Sequence, residues 1–123
     1  MKKRIITSLL LLTLAAIVYS QTLTPPQFPG GKEAFSNFLH KNLKWPSDNM
    51  DDIQGVVIVG FFVEKDGKLT GISIEKGMTK AFNDEALRVI SLSPKWIPAI
   101  KNNKPIKSRY TVPISFTQGE IIQ

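Results

Sequence analysis

The chain predicts an α+β fold in two layers, αββαβ, with a three-stranded antiparallel or mixed sheet of order 2-1-3 and two helices on one face. Three observations carry this. An apolar run from Gly55 to Val63 leads through Glu64-Lys65-Asp66-Gly67 into a second strand-like run from Lys68 to Lys76, and an Asp-Gly pair between two such runs is a strong hairpin signal. Two other stretches space their apolar residues as helices do. A final run, Ile106 to Phe116, alternates apolar with polar side chains and contains a proline.

The 123 residues suffice for one domain and include no cysteine. Disulfides, thiol nucleophiles and cysteine-ligated metals are thereby excluded. Residues 1–20 have the form of an export signal: Lys2, Lys3 and Arg4, an apolar stretch from Ile5 to Val18, then Val18-Tyr19-Ser20 before Gln21. Thr7, Ser8 and Thr13 interrupt the stretch, which is shorter than the roughly 20 residues that cross a bilayer. Cleavage after Ser20 and a periplasmic product are expected. Left uncleaved, Ile5 to Tyr19 would anchor the protein in the inner membrane, the one membrane contact foreseen. These three basic residues supply half of the net charge of +6, so the basic balance of the rest is too weak to predict a nucleic-acid partner.

Residues 21–31 hold Pro25, Pro26, Pro29, Gly30 and Gly31 and read as a short extended lead-in; the domain proper is expected over 32–118. Ala34, Phe35, Phe38, Leu39 and Leu43 place a helix from Lys32 with one buried face, ended by Trp45-Pro46. Asp48 to Gln54 is a polar loop. In the first strand Val57, Val59, Phe61 and Val63 face the helices. Leu69 and Ile72 differ in parity along the second strand, so both reach the core only if a bulge forms near Thr70-Gly71. The second helix has Asn83 as its cap, Asp84 and Glu85 in its first turn, and Phe82, Ala86, Val89 and Ile90 inside; Pro94 stops it. Lys95 to Pro105 is rich in turn formers. In the last strand Tyr110, Val112, Ile114 and Phe116 point inward. A helical crossover between the second and third strands puts the third beyond the first, and Pro113, lacking a donor, belongs on that edge.

No catalytic constellation is present. His40 is the single histidine and lies off the apolar stripe of its helix, a solvated imidazole. Asp51-Asp52 and Asp84-Glu85 are adjacent pairs suited to solvation and capping rather than to acid and base work across a site. No nucleophile elbow, P-loop or dinucleotide fingerprint occurs. Neither an enzyme nor a cofactor is expected.

Trp45-Pro46, the run Gly55 to Val63 with Asp66-Gly67-Lys68-Leu69, Phe82-Asn83-Asp84-Glu85-Ala86, Pro94-Lys95-Trp96-Ile97-Pro98-Ala99 and Val112-Pro113-Ile114-Ser115-Phe116 together resemble the C-terminal domain of TonB proteins over about residues 28–117. The resemblance implies a periplasmic module linked to energy transduction for transmembrane transport. In that family the last strand pairs with an extended segment of an outer-membrane receptor, the TonB box. By that likeness Trp96 is a core anchor, while Trp45-Pro46 stands where an aromatic-Pro pair lies near the contact, or else packs Trp45 on the end of the first helix. A full transducer also has a permanent membrane helix and a long spacer. Here the eleven residues from Tyr19 to Pro29 reach at most about 40 Å.

The expected contact surface is the edge strand with Lys107, Arg109, Thr111, Pro113 and Ser115, joined by an apolar stripe of Val56, Ile58 and Phe62 on the face no helix covers. Its partner is a TonB-dependent receptor segment or, alternatively, a second copy of the chain pairing through the same edge into a homodimer. Lys95, Lys101 and Lys104 with Lys107 and Arg109 form a positive rim. The contrasting reading has the stems of Lys107 and Arg109 lying across the stripe and shielding it.

Overall fold

The computed structural model describes residues 22–46 and 54–117. The export segment at 1–20 and the polar loop at 48–53, with Asp51-Asp52, lie outside the described residues.

In chain order the elements are β1 (Leu23–Thr24), α1 (Gly31–Asn42), β2 (Gly55–Val63), β3 (Leu69–Lys76), α2 (Lys80–Ser91), β4 (Ala99–Lys101), β5 (Lys104–Ile106) and β6 (Ser108–Phe116). The main sheet has the order β3-β2-β6, with both pairings antiparallel. β2 is central, as its apolar composition requires: Val57, Val59, Phe61 and Val63 are wholly buried. Leu39 and Leu43 from the α1 side, Phe82, Ala86, Val89 and Ile90 from α2, and Val112, Ile114 and Phe116 from β6 complete this core. Successive side chains of a strand take opposite faces, so this alternation fixes which face meets the helices.

The parity conflict in the second strand resolves as a bulge. Gly60 pairs with Ser73 but Phe62 with Thr70, leaving one extra residue between them, and Gly71 sits there at φ 59°. Leu69, Ile72 and Ile74 all pack against the core. A second shift, between Ile58 and Val59, leaves Glu75 as the extra residue.

Three local expectations are corrected. The helical backbone of α2 begins at Lys80 with Thr79 at the cap position. Asn83 lies inside the helix, and its side-chain oxygen accepts the N–H of Met78 at 2.8 Å. Asp84 and Glu85 fall in the second turn and serve as braces. Lys80 pairs with Asp84 at 2.7 Å. Glu85 accepts the N–H of Lys44 at 2.7 Å and holds Arg88, whose guanidinium donates to the carbonyl of Asn42 at 2.7 Å. The two helices are thus tied at the end of α1.

Ile106 to Phe116 is not one strand, because the ladder breaks at Lys107. The turn-rich segment before it is a hairpin, β4 against β5, turned by Asn102 and Asn103, both at positive φ. Two such residues make the primed turn that matches strand twist. Finally, the lead-in is part of the fold: β1 pairs with β4 in a second sheet of order β1-β4-β5, and Phe28 is 8% exposed in the core.

Candidate partner-binding edge

β6 has β2 on one side, and among the described residues no strand pairs with its other side. Pro113 stands opposite Ile58. Proline cannot donate, so the hydrogen-bonded pairs of this ladder fall on the alternate residues, including Val112 with Val59 and Ile114 with Val57. Arg109, Thr111 and Ser115 then turn their backbone groups away from β2. Thr111 and Pro113 are exposed and Ser115 is half-buried.

Beside this edge lies a feature with no simple sequence period. A hollow of about 350 Å³ is lined by Thr24, Pro25, Pro26 and Phe28 of the lead-in, Phe35 of α1, Trp96, and Tyr110 and Val112 of β6. It adjoins a second, of about 440 Å³, where Lys32, Glu33 and Ser36 of α1 face Thr111 and Pro113. Trp96 is 5% exposed and organises the first: Phe28, Phe35 and Tyr110 lie 5.9, 5.5 and 5.4 Å from it, centroid to centroid. Two of these contacts are edge-to-face and the Tyr110 contact is tilted, and rings packed in this way make a stiff apolar wall. The one available sequence signal was Phe28, an aromatic residue inside a proline-rich lead-in.

Residues 45–117, more than half of the chain, match the family described as the Gram-negative bacterial TonB protein C-terminal. The chain belongs to the TonB C-terminal family. It is a family of protein-interaction domains rather than enzymes, from the envelope of Gram-negative bacteria, associated with receptor interaction and energy transduction. Searches among curated proteins and solved structures gave no match. Among the described residues no helix is long and apolar enough to cross a membrane, and no cluster of histidine and carboxylate side chains could hold a metal.

On this TonB-like domain the sequence-predicted residues fall into three places. Trp45 is half-buried near the end of β6, its ring 5.4 Å from Phe82 and 6.1 Å from Phe116, both edge-on; Pro46 is half-buried beside it in the chain. Trp45 therefore packs on α2 and β6 rather than on α1 alone. Thr111, Pro113 and Ser115 line the free edge. Val56, Ile58 and Phe62 lie on the outer face, opposite Ser115, Pro113 and Arg109.

That outer face differs from an open stripe. Lys107 Nζ lies 4.8 Å from the centroid of the Phe62 ring and the Arg109 guanidinium carbon 5.4 Å from it, so the two basic groups cover the ring. Each is also paired: Lys107 with Glu64 at 3.3 Å, and Arg109 with Glu75. The Arg109 pair crosses β2 over Gly60, where an added Cβ would come within 2.6 Å of both charged groups. The bulge at Glu75 and the missing side chain of Gly60 together make room for it. The Glu64 carboxyl is held below its ordinary 4.5, first by the Thr70 hydroxyl and then by Lys107, against the opposing effect of desolvation. The positive rim is correspondingly reduced, since Lys107 and Arg109 turn to acidic partners across the sheet. Only Val56, 43% exposed, stays open at the far end of the stripe.

Proposed function

We propose that this chain is an exported TonB-like module that binds an extended segment of an outer-membrane TonB-dependent receptor, adding it as a strand beside β6 in the service of transmembrane transport. The observation that carries the reading is the edge itself: nine residues of strand, Ser108–Phe116, paired on one side, with outward backbone groups and a hollow alongside. An unpaired edge offers main-chain hydrogen bonds to an incoming strand, and pockets beside it accept alternate side chains.

Thr111→Pro tests it. The substitution removes an outward donor without breaking the ladder to β2, because residue 111 has the same parity as Pro113. Affinity for a receptor-derived TonB-box peptide should fall about tenfold in calorimetry, the size of one hydrogen bond in an extended pairing. Phe62→Lys makes the contrast. It puts a third cation beside Lys107 and Arg109 but lies on a face that is already covered, so peptide affinity should change little. Equal affinity in a folded Thr111→Pro variant would remove the edge from the mechanism.

Export carries its own test. Cleavage after Ser20 predicts that protein released by osmotic shock begins at Gln21, which intact-mass measurement reads directly. A mass retaining residues 1–20, in the membrane fraction, would instead support an anchored form.

A further inference from the structure

Building on the reading that an extended segment adds beside β6, we propose that the aromatic hollow is a side-chain subsite. It selects segments that carry a large apolar residue at the position that falls over the hollow.

Three properties of the hollow specify this occupant. Its volume of about 350 Å³ is at the lower end of the range for specific pockets. Phe28, Phe35, Trp96, Tyr110 and Val112 give it an apolar lining, to which the exposed Thr24 of β1 also contributes. Between Tyr110 and Val112, the two β6 residues that line it, Thr111 turns its N–H and C=O groups outward at the free edge, and these need partners that a small apolar molecule or a helix cannot supply. An extended chain supplies both the backbone partners and a side chain.

Strand geometry sets the spacing. On an added strand, residues facing the helix side fall beside Tyr110 and Val112, over the hollow. The next residue on that face lies about 7 Å along, over the adjoining hollow, where Lys32, Glu33 and Ser36 meet Phe35, Val112 and Pro113, a mixed lining that selects no single side-chain class. Residues of the other parity look toward the outer face, where Arg109 and Lys107 already cover Phe62.

A second copy of the chain fits poorly. Of the residues its β6 would present on the helix side, Val112, Ile114 and Phe116 are 4%, 0% and 0% exposed in their own core, and the half-buried Tyr110 is held against its own Phe61 and Trp96, so each is already engaged within its own copy. The occupant is a separate extended segment.

The probe is a decapeptide of alternating alanine and threonine, with phenylalanine moved through the alanine positions and aspartate as the contrasting substitution. Titration by NMR chemical shift against the full chain covers the weak affinities expected. Phenylalanine at one position should raise affinity about 10- to 100-fold over the alanine host, and aspartate there should give no gain. Thr24→Trp fills the hollow from the exposed β1 and should erase the difference between the phenylalanine and alanine peptides.

If every peptide binds equally and Thr24→Trp changes nothing, the subsite fails while strand addition stands. If neither these peptides nor a TonB-box peptide binds at all, strand addition fails, and the subsite with it. A dimer seen by light scattering that Thr24→Trp dissociates would assign the hollow to a second copy. Removal of residues 118–123 that raises every peptide's affinity alike would assign it to the chain's own tail. Either result overturns the proposal.

Discussion

Truncation of Phe61 to alanine is expected to cost about 3 to 5 kcal/mol in chemical denaturation, the range for deleting a buried ring from a packed core. Phe61 has no exposed surface and sits mid-strand in β2. Its ring lies 5.2 Å from Trp96, edge-on, and 6.2 Å from Tyr110, so the cavity left behind would open beneath the aromatic wall of the hollow. A loss of that size consumes a large share of a small domain's stability. The neighbouring ring supplies the control. Phe62 points to the outer face and is covered by Lys107 and Arg109 rather than by core side chains, so Phe62→Ala should cost at most about 1.5 kcal/mol. Similar losses in the two variants would mean that the β2 face assignment does not govern stability.

The central part of this architecture was legible because it obeys single rules. Val57, Val59, Phe61 and Val63 share a parity, and Pro113 can occupy only positions where no ladder donor is needed. Leu69 and Ile72 conflict unless a bulge intervenes, and Gly71 supplies it. What stayed hidden depends on combinations. β4 and β5 have three residues each and β1 two, too few to show a period. The Asn102-Asn103 turn was present as a signal but sat in a stretch whose prolines and lysines read as irregular. Asn83 is a good cap by type, yet it accepts from Met78 five residues back while the helix starts earlier. The covering of Phe62 by Lys107 and Arg109 was legible as the contrasting reading of the stripe, but its acidic partners were not: the Arg109 pair runs through a bulge at Glu75 and over a bare Gly60, and no periodicity reports such a conjunction. The aromatic hollow is of the same kind. Its wall draws on Phe28, Phe35, Trp96 and Tyr110, from the lead-in, α1, the segment after α2 and β6.

Gly67→Ala is expected to be the most damaging single-methyl change in the described fold, at about 2 to 4 kcal/mol. The β2–β3 hairpin turns through Lys65, Asp66 and Gly67, with the N–H of Gly67 bonded to the Glu64 carbonyl and that of Glu64 to Lys68, both at 2.9 Å. Gly67 adopts φ 90°, the left-handed final position of a three-residue hairpin loop, where a β-carbon is strained. A second constraint is tertiary. An alanine Cβ would stand 2.1 Å from the carbonyl oxygen of Trp96, while the N–H of Trp96 donates to the Gly67 carbonyl at 2.9 Å. Backbone meets backbone there, so no side-chain rotation relieves the clash and the segment carrying Trp96 must move. Because Trp96 holds Phe28, Phe35, Phe61 and Tyr110 together, that displacement reaches the hollow beside β6. Gly71→Ala is the comparison. It too has positive φ, 59°, but its nearest neighbour is a side-chain atom of Phe62 at 3.1 Å, which can shift. Denaturation midpoints should therefore fall further for Gly67→Ala than for Gly71→Ala, and near-UV dichroism from Trp96 should change only in the former. If the two variants lose equal stability with unchanged dichroism, positive φ alone accounts for the cost. The hairpin tip would then have no part in positioning Trp96 or the wall it builds along the free edge.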